Sequence, residues 1–530
     1  MLSLRFFGQT LVIAAAFLGP VSCWSATPTN ILVMAKSLDD LITLDPAEAF
    51  EFSGTEIIAN LYDRLFEANR VGPGEPTPSL VQGWSVSEDG RTYEFRLKEG
   101  PVFEDGRPVS AFDAVFSLKR SVILNKTPSF ILSQLGFTKE NVGAKVRAID
   151  AQRFMLETDR DYAPSLVMNI LSSAMTSVVD REVALAHERD GDLGHEWLRS
   201  HSAGSGPFRL HRWNVGEYVM LEVNHDYPST STTIERFVIR DIREPATQRL
   251  MLIRGDIDIA RDIAPDQIAA LAEEPGIVTW SVPQARIFYM ALNQKNPILA
   301  LTQVQQAIRY SIDYQSIVRH LLPGRAEVHQ AFLPKGFIGA LEDTPFVLDL
   351  ARARRLLIEA GHSKGFSIKV DVRSDPLALQ IAQAIQASLA KAGITMDIRP
   401  GDGKQVLTKY RARQHDVYLG YWGADYLDPH SNAAAFARNL NNANDAVDKT
   451  LAWRNSWEIP DITRRTDEAT LVRDPLYRAE VYRNLQRSLQ TGSPFIILFQ
   501  ERALFAMRKE VTGLEVGLTS DQIHYERVSK

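Results

Sequence analysis

The residues that could carry out catalysis form no recognised catalytic pattern in this chain. His195-Glu196 and His201 come nearest, because two histidines beside a glutamate can hold zinc. Ligands on one helical face stand four residues apart, whereas these histidines are six apart. The sequence has no Gly-x-Ser-x-Gly, no phosphate-binding glycine loop and no His-Glu-x-x-His. We therefore predict a binding protein rather than an enzyme, with no catalytic residue, metal or cofactor.

The length and composition indicate a folded protein with more than one domain. The chain has 530 residues, of which 45% are hydrophobic, and this much apolar surface rules out disorder as the main state. At about 150 residues per domain, the length predicts roughly three units. The net charge of -6 gives no basic surface for nucleic acid, which we exclude as a partner. The one cysteine, Cys23, excludes intramolecular disulfides and cysteine-rich zinc sites.

The first 26 residues have the order of regions that is typical of a secretory signal peptide. A positively charged start is followed by an apolar stretch, then by Pro20 and a mixture of small and other residues. We expect cleavage near Ser25 or Ala26 and export of the mature chain. Two alternatives stay open: a buried N-terminal helix, and a lipid anchor on Cys23, although Pro20 stands where an anchor signal has leucine.

The elements that must position any site change in character along the chain. Before residue 285, apolar spacing predicts strands at 30–36, 93–97, 218–223 and 234–240, and helices at 54–67, 111–120 and 246–253. After it, strands and helices alternate. A capping box at Thr302 and a cap at Asp349 predict two helix starts. Strand 366–372, helix 377–389 and strand 394–398 predict a βαβ unit, and therefore an α/β protein with a partly parallel sheet.

Three blocks of sequence resemble segments of one protein family and occur in the order found in that family. The first runs from Gly83-Trp-Ser-Val-Ser-Glu-Asp-Gly through residue 118, and the second joins Gly204-Ser-Gly-Pro-Phe to Asn224-His-Asp-Tyr227. The third is Tyr421-Trp-Gly-Ala-Asp-Tyr-Leu-Asp-Pro429. Together they resemble the extracellular solute-binding proteins, family 5, which serve oligopeptide and dipeptide ABC transporters. The likeness extends over essentially the whole mature chain.

The resemblance implies an α/β, two-lobed periplasmic binding protein fold with an extra inserted subdomain in the first lobe. After a signal peptide at 1–26, the first lobe would comprise residues 27–72, 203–284 and 504–530, the inserted subdomain residues 73–202, and the second lobe residues 285–503. The Pro/Gly run at 72–78 and the turn at 202–207 suit the limits of the insert. Segments 286–292 and 494–499 are apolar enough to cross between the lobes.

The resemblance also implies which residues bind the ligand. In peptide-binding members, an aspartate at the position of Asp425 pairs with the peptide's α-ammonium, which is charged at neutral pH because its pKa is about 7.7–8.0. Trp422, Gly423 and Ala424 would line the same wall. The alternatives are that Asp425 only caps the turn before Asp428-Pro429, and that Trp422 only packs in the core.

A loop at residues 49–54, which includes Phe52 and Ser53, would face the ligand from the other lobe. An extended peptide could add to this loop as a strand, with main-chain hydrogen bonds supplying affinity. The alternative is a loop that only contacts solvent.

One position departs from the family pattern. Some dipeptide-binding members hold the ligand's carboxylate with an arginine that falls on Val372 here, and Arg373 stands one residue later. A shift of one residue on a strand reverses the side-chain face. Arg373 could still reach the ligand if it lies past the end of the strand. The departure puts dipeptide specificity in doubt and leaves longer peptides and non-peptide ligands open.

The resemblance thus implies a periplasmic protein that captures a peptide or peptide-like ligand by lobe closure. It would deliver this ligand to the permease of an ABC transporter in the inner membrane, and we expect it to be a monomer. Two rival hypotheses stay open. One keeps the fold but binds an opine, an oligosaccharide or a nickel complex, and the other is an exported hydrolase with a nucleophile or carboxylate pair in the cleft.

Overall fold

The structure is a computed structural model that describes residues 27–69, 74–228, 232–446 and 449–530. The predicted signal segment with Cys23 and part of the Pro/Gly run lie outside these residues. Within the described ranges, no helix combines the length and the apolar character needed to cross a membrane.

The described residues form a mixed α/β structure. Its strands are β1 Ile31–Lys36, β2 Phe66–Glu67, β3 Thr77–Pro78, β4 Val81–Val86, β5 Thr92–Leu97, β6 Val146–Ala148, β7 Arg153–Glu157, β8 Phe208–Asn214, β9 Tyr218–Val223, β10 Arg236–Asp241, β11 Ile259–Ala260, β12 Ile277–Leu292, β13 Ala326–Val328, β14 Phe366–Arg373, β15 Ile394–Gly401, β16 Val417–Gly423, β17 Phe495–Arg508, β18 Glu515–Val516 and β19 Ile523–His524.

The helices alternate with these strands. They are α1 Phe52–Leu61, α2 Ala111–Leu124, α3 Phe130–Ser133, α4 Val142–Lys145, α5 Pro164–Ile170, α6 Arg181–Ala186, α7 His195–Leu198, α8 Pro245–Arg254, α9 Pro265–Ala272, α10 Thr302–Ser311, α11 Tyr314–Leu321, α12 Leu350–Glu359, α13 Pro376–Ala390, α14 Gly403–Arg411, α15 Pro429–Phe436, α16 Leu451–Arg454, α17 Pro460–Glu468 and α18 Pro475–Gly492.

Two long strands hold the molecule together. β12 and β17 pair antiparallel, and their register breaks between Pro283 and Ile287. The main sheet has the order β15-β14-β16-β12-β17-β11-β1-β10-β9-β8, so β12 and β17 lie at its centre. We call the half with β1 and β8–β11 the first lobe and the half with β14–β16 the second lobe. The predicted crossing segments 286–292 and 494–499 are therefore parts of one longer strand pair.

The predicted βαβ unit is confirmed. β14 and β15 pair parallel along their whole length, and α13 connects them. The side chain of Asp375 accepts from the backbone N–H of Ala378 and begins this helix. Ile381, Ile385 and Leu389 form the buried face of α13 in the core of the second lobe.

A separate small sheet lies in the segment predicted as the insert. Its strand order is β4-β5-β7-β6, and α2 packs on it. Phe95 and Phe154 stack across two strands with ring centroids 5.0 Å apart. This core also includes Tyr426 from the second lobe, so the small subdomain and the second lobe share one apolar cluster. The residue limits of the domains stay a prediction.

Helix α1 differs from the predicted helix 54–67. It spans Phe52–Leu61, and Tyr62 is already extended. Leu65, whose spacing suggested a longer helix, packs instead in the core of the small subdomain. The Gly204-Ser-Gly-Pro turn packs against the end of this helix: a Cβ on Gly204 would stand 2.0 Å from the carbonyl oxygen of Leu61, so only glycine allows this close approach.

Two predicted helix starts have different outcomes. The Asp349 side chain accepts from the backbone N–H of Arg352 and caps α12, as predicted. The predicted capping box at Thr302 is wrong, because Thr302 is the first helical residue of α10 and the cap position falls on Leu301.

Candidate functional site

The wall around Asp425 is built by two paired strands. β16 ends at Gly423 and pairs with β12, which brings Gly423 opposite Arg286. One residue on, the backbone N–H of Ala424 donates to the carbonyl oxygen of Ala285 at 3.0 Å. Backbone hydrogen bonds to β12 thus fix the chain as far as Ala424. Asp425 is the first residue beyond this pairing.

The Asp425 carboxylate is partly buried and has no side-chain partner. Its own backbone N–H donates to the hydroxyl of Ser431 at 2.9 Å, but among the described residues no group hydrogen bonds or ion-pairs with the carboxylate. Burial raises the pKa of Asp425 to about 7, and the positive charge of Arg454 acts in the opposite direction without cancelling the effect. A half-protonated carboxyl group at neutral pH is thus available to a cation.

The cap of the turn that precedes α15 is Asp428, not Asp425, which was the alternative role considered for Asp425. Asp428 is the residue before α15, and its side chain accepts from the backbone N–H of His430 at 2.8 Å. The capping interaction expected near Asp428-Pro429 is therefore made by Asp428 itself. Asp425 takes part in this turn only through its backbone.

Trp422 and Ala424 are placed by packing. The Trp422 indole donates from Nε1 to the side-chain oxygen of Asn432 at 3.2 Å, and its ring lies edge to face with Phe436 at 6.2 Å. Trp422 and Ala424 both pack against the same core cluster of the second lobe. The structure thus shows the core-packing interpretation of Trp422, and its role toward a ligand stays a prediction.

Phe52 approaches this wall from the first lobe. It begins α1, 44% of it is exposed, and its ring faces Gly423. Ser53 is 2% exposed, and its backbone N–H donates to the carboxylate of Asp40 at 3.1 Å. Both residues belong to the first turn of a helix and Ser53 has already used its N–H, so a peptide strand could add only at residues 49–51 of the predicted loop. The role of Phe52 and Ser53 toward a ligand stays a prediction.

Arg373 lies at the end of its strand, on the face opposite to Val372. Val372 is fully buried in the core of the second lobe. Arg373 is the last residue of β14 and still pairs with Gly401. Its Nη1 donates to the hydroxyl of Tyr421, and its guanidinium carbon lies 5.6 Å from the centre of that ring. Tyr421 therefore draws Arg373 toward the wall that carries Asp425.

Arg286 is a residue of this wall that sequence reasoning did not select. Its guanidinium carbon lies 5.0 Å from the ring centres of both Phe52 and Tyr421, and its Nε donates to Glu501. Burial, together with the positive charges of Arg325 and Arg373, lowers the pKa of Arg286 to about 10. A lone arginine at the head of the apolar run 287–292 was the signal that could have identified it.

Contacts from the small subdomain complete the surroundings of the third sequence block. The hydroxyl of Tyr426 donates to the side-chain oxygen of Gln134 at 2.6 Å. Two residues later, Asp428 accepts hydrogen bonds from Arg478, and Asn169 of the small subdomain lies 3.4 Å from the same carboxylate. The residues on either side of this turn thus join the second lobe to the small subdomain.

The two histidines that suggested a zinc helix make different contacts. Nδ1 of His195 is 2.7 Å from the carboxylate of Asp45 in a buried pair. The ring of His201 stacks on Trp197 with centroids 4.5 Å apart. Throughout the described ranges, no three His, Cys, Asp or Glu side chains are grouped so that they could hold a metal ion.

The bacterial extracellular solute-binding proteins, family 5, match this sequence over residues 75–444 of the chain. This match covers more than half of its length. The chain belongs to this family. The architecture agrees: a Helicobacter pylori ABC transporter-associated periplasmic binding protein, solved with the peptide STSA, superposes with a TM-score of 0.76 at 23% identity, covering 94% of this chain and 98% of that one. The predicted two-lobed fold is confirmed.

Two relatives of this solute-binding protein come from Escherichia coli (strain K12). A probable D,D-dipeptide-binding periplasmic protein is 28% identical over 526 residues, which are 97% of this chain and 96% of that protein. A dipeptide-binding protein is 25% identical over 497 residues, which are 90% of this chain and 91% of that protein. The family consists of binding proteins, and the matches extend over nearly the full length of the chain.

Proposed function

We propose that this solute-binding protein captures a peptide or peptide-like solute in the periplasm and delivers it to the permease of an ABC transporter. The observation that carries the proposal is the unpaired, partly buried carboxylate of Asp425, two residues after Gly423, which faces Phe52 of the first lobe. The dipeptide-binding names of the two Escherichia coli relatives support the same class of ligand.

Asp425 would bind the α-ammonium of the ligand. A carboxylate whose pKa is raised by burial lacks a compensating cation, and a bound ammonium supplies that cation at short range. A hydrogen bond to a charged group contributes about 1.5–3 kcal/mol. A bound ammonium would thus favour the ionised form of Asp425, and the resulting ion pair would contribute to the affinity for the ligand.

Arg373 and Arg286 would bind the ligand's carboxylate. Both guanidiniums lie within 6 Å of the Tyr421 ring centre. Arg286 has Glu501 as its ion-pair partner, whereas no described carboxylate pairs with Arg373. Arginine suits this role because its planar donors match a carboxylate in a bidentate arrangement. Asp425 and this arginine pair would together bind the two ends of a short zwitterion.

Closure of the lobes would complete the site. Phe52 of the first lobe lies against the wall formed by Gly423 and Arg286. A ligand that contacts both walls favours the closed arrangement, because it gains contacts there that the open arrangement does not offer. The proposed action is capture and presentation, without a covalent step.

The first experiment identifies the ligand. Protein purified without denaturation from its native periplasm is examined by mass spectrometry, and we expect a peptide or amino-acid conjugate with a free amine. Calorimetry with that ligand and its N-acetylated form then tests Asp425. Acetylation and the Asp425→Ala change should each abolish most of the affinity, while Asp461→Ala, on an exposed helix of the second lobe, should not.

A non-peptide ligand is the second candidate, and the burial of Val372 favours it. Val372, which occupies the expected arginine position, is buried in the core, so the arrangement of some dipeptide-binding members is absent here. A ligand without a free amine that binds equally well to Asp425→Ala would establish this alternative. Release of hydrolysis products during incubation with peptides would instead establish the hydrolase hypothesis.

A further inference from the structure

Arg309 is a deeply buried arginine without a carboxylate partner. It lies on α10, is 1% exposed, and donates from Nη2 to the carbonyl oxygens of Ser493 and Phe495 at 2.6 and 2.9 Å. No acidic side chain in the described residues forms an ion pair with it. A buried positive charge without a counter-charge is costly, because the interior cannot replace its hydration.

Two other buried arginines each pair with a carboxylate, which compensates the buried charge. Arg120 is 1% exposed and donates from both terminal nitrogens to Asp45 at 2.6 Å. Arg478 is 5% exposed and donates in the same way to Asp428 at 2.7 Å. Each of these cations therefore has a carboxylate within hydrogen-bonding distance, and Arg309 is the exception among the three.

A small cavity adjoins Arg309 inside the second lobe. Its volume is about 10 Å³, which is on the order of one water-sized occupant. Two buried side-chain donors of its lining have no hydrogen-bond partner: Nη1 of Arg309 and Nε2 of Gln490. Much of the remaining lining is apolar and includes Phe332, Phe346, Phe436, Leu489, Ile496 and Ile497.

Two side-chain oxygens of this lining already accept hydrogen bonds. The side-chain oxygen of Gln330 accepts from the backbone N–H of Phe346 at 2.8 Å. That of Gln486 accepts from the N–H of Leu341 at 3.3 Å. A water molecule needs acceptors for its own hydrogens as well as donors, whereas an anion needs donors alone. The two unpaired donors, one of them on a buried cation without a carboxylate partner, therefore favour an anion.

We propose that a monatomic anion, chloride under physiological conditions, binds in this cavity as the counter-ion of Arg309. It accepts from Nη1 of Arg309 and Nε2 of Gln490. Burial lowers the pKa of Arg309 to about 10, partly offset by Tyr314 and Tyr310, which is consistent with an uncompensated charge. Because Nη2 of Arg309 holds the chain at Ser493 and Phe495, the anion supports the start of the crossing strand β17.

Bromide tests the site directly in the intact protein. Crystals grown or soaked in sodium bromide are measured at the bromine absorption edge. We expect an anomalous peak between Nη1 of Arg309 and Nε2 of Gln490. A cavity that holds only a water molecule, with no anomalous signal at high bromide concentration, would overturn the proposal.

Thermal unfolding tests the site in solution. At constant ionic strength, replacing sodium gluconate with sodium chloride should raise the melting temperature by about 1–2 °C per tenfold increase in chloride above the dissociation constant. Arg309→Met should remove this dependence. The control Arg487→Met removes an exposed arginine from α18 and should retain it. Equal chloride responses in wild type and Arg309→Met would contradict the proposal, and the bromide experiment decides the matter if Arg309→Met does not fold.

Discussion

The ring of Phe52, on the first lobe, faces the bare backbone of Gly423, on the second. A Cβ built on Gly423 would stand 3.6 Å from Cζ of Phe52, which is an ordinary van der Waals contact. The space between Gly423 and Phe52 therefore has room for one methyl group. A methyl group therefore fits at residue 423, whereas a side chain longer than that of alanine would have to move Phe52.

This relationship predicts a size limit at residue 423. Gly423→Ala should leave ligand affinity within a few-fold of wild type, because the added methyl group fits. Gly423→Leu should weaken binding at least tenfold, because its branched side chain would displace Phe52 and hinder closure. Calorimetry measures both. Gly423→Leu with Phe52→Ala should recover part of the lost affinity, and an unchanged affinity in Gly423→Leu alone would show that the contact does not limit closure.

Ligand binding should depend on pH through Asp425. The pKa of Asp425 is raised to about 7 by burial, so in the free protein the carboxyl group is largely protonated at pH 5.5 and largely ionised at pH 8. Affinity for an amine-bearing ligand should rise across this range and fall above about pH 8, where the α-amine loses its proton. Asp425→Asn should lose the rising part and about 10- to 100-fold in affinity at neutral pH. An affinity that is flat with pH in wild type would exclude Asp425 as the anchor.

The same carboxyl group should reduce the stability of the ligand-free protein as pH rises. Its pKa is near 7 when folded and 3.8 ordinarily, so between these values the folded protein binds a proton that the unfolded chain has released. The free energy of unfolding therefore falls with increasing pH in this window and levels off above it. Asp425→Asn should match wild type near pH 4 and melt higher than wild type at pH 7.5. Thermal unfolding without ligand measures the difference, and parallel curves for the two proteins would contradict it.

Arg373 should matter only for ligands with a free carboxylate. Arg373→Met keeps the length of the side chain and removes the charge near Tyr421. We expect it to weaken binding of a free-acid peptide about tenfold or more and to leave its C-terminal amide almost unaffected. Calorimetry with both ligands on both proteins forms a double-mutant cycle. Equal losses for acid and amide would mean that Arg373 acts through Tyr421 and not on the carboxylate.

The Asp428–Arg478 pair lies within the second lobe, contacts Asn169 and Ser165 of the small subdomain, and should stabilise the folded protein. Burial acts to raise the pKa of Asp428, but Arg478 and the N–H of His430 outweigh it and keep that pKa below its usual value. Its stabilisation is therefore present above about pH 4 and is lost as pH falls through the lowered pKa. Asp428→Asn should cost about 3–5 kcal/mol in urea unfolding at pH 7, because it leaves Arg478 buried without its partner. The exposed control Asp461→Asn should cost less than 0.5 kcal/mol.

Much of the fold could be predicted because its signals are local. Alternating apolar residues at 366–372 and 394–398 and the helical stripe between them are properties of short segments, and the structure forms the expected parallel pair. Asp349 caps its helix because a cap needs only a residue three positions on. The three ordered blocks pointed to the family, since each is a continuous stretch that can be compared without knowledge of contacts.

The sequence by itself thus determined the α/β class, the two-lobed family and Asp425 as the residue to examine. Only the tertiary structure decided that α1 stops at Leu61, that Asp428 and not Asp425 caps the turn, and that Arg286 joins the wall. It also decided that Asp425 is an unpaired carboxylate with a raised pKa. The physical reason is that burial and charge pairing depend on segments far apart in the chain, as when Phe52 meets Gly423, and no local pattern of residues encodes such a meeting.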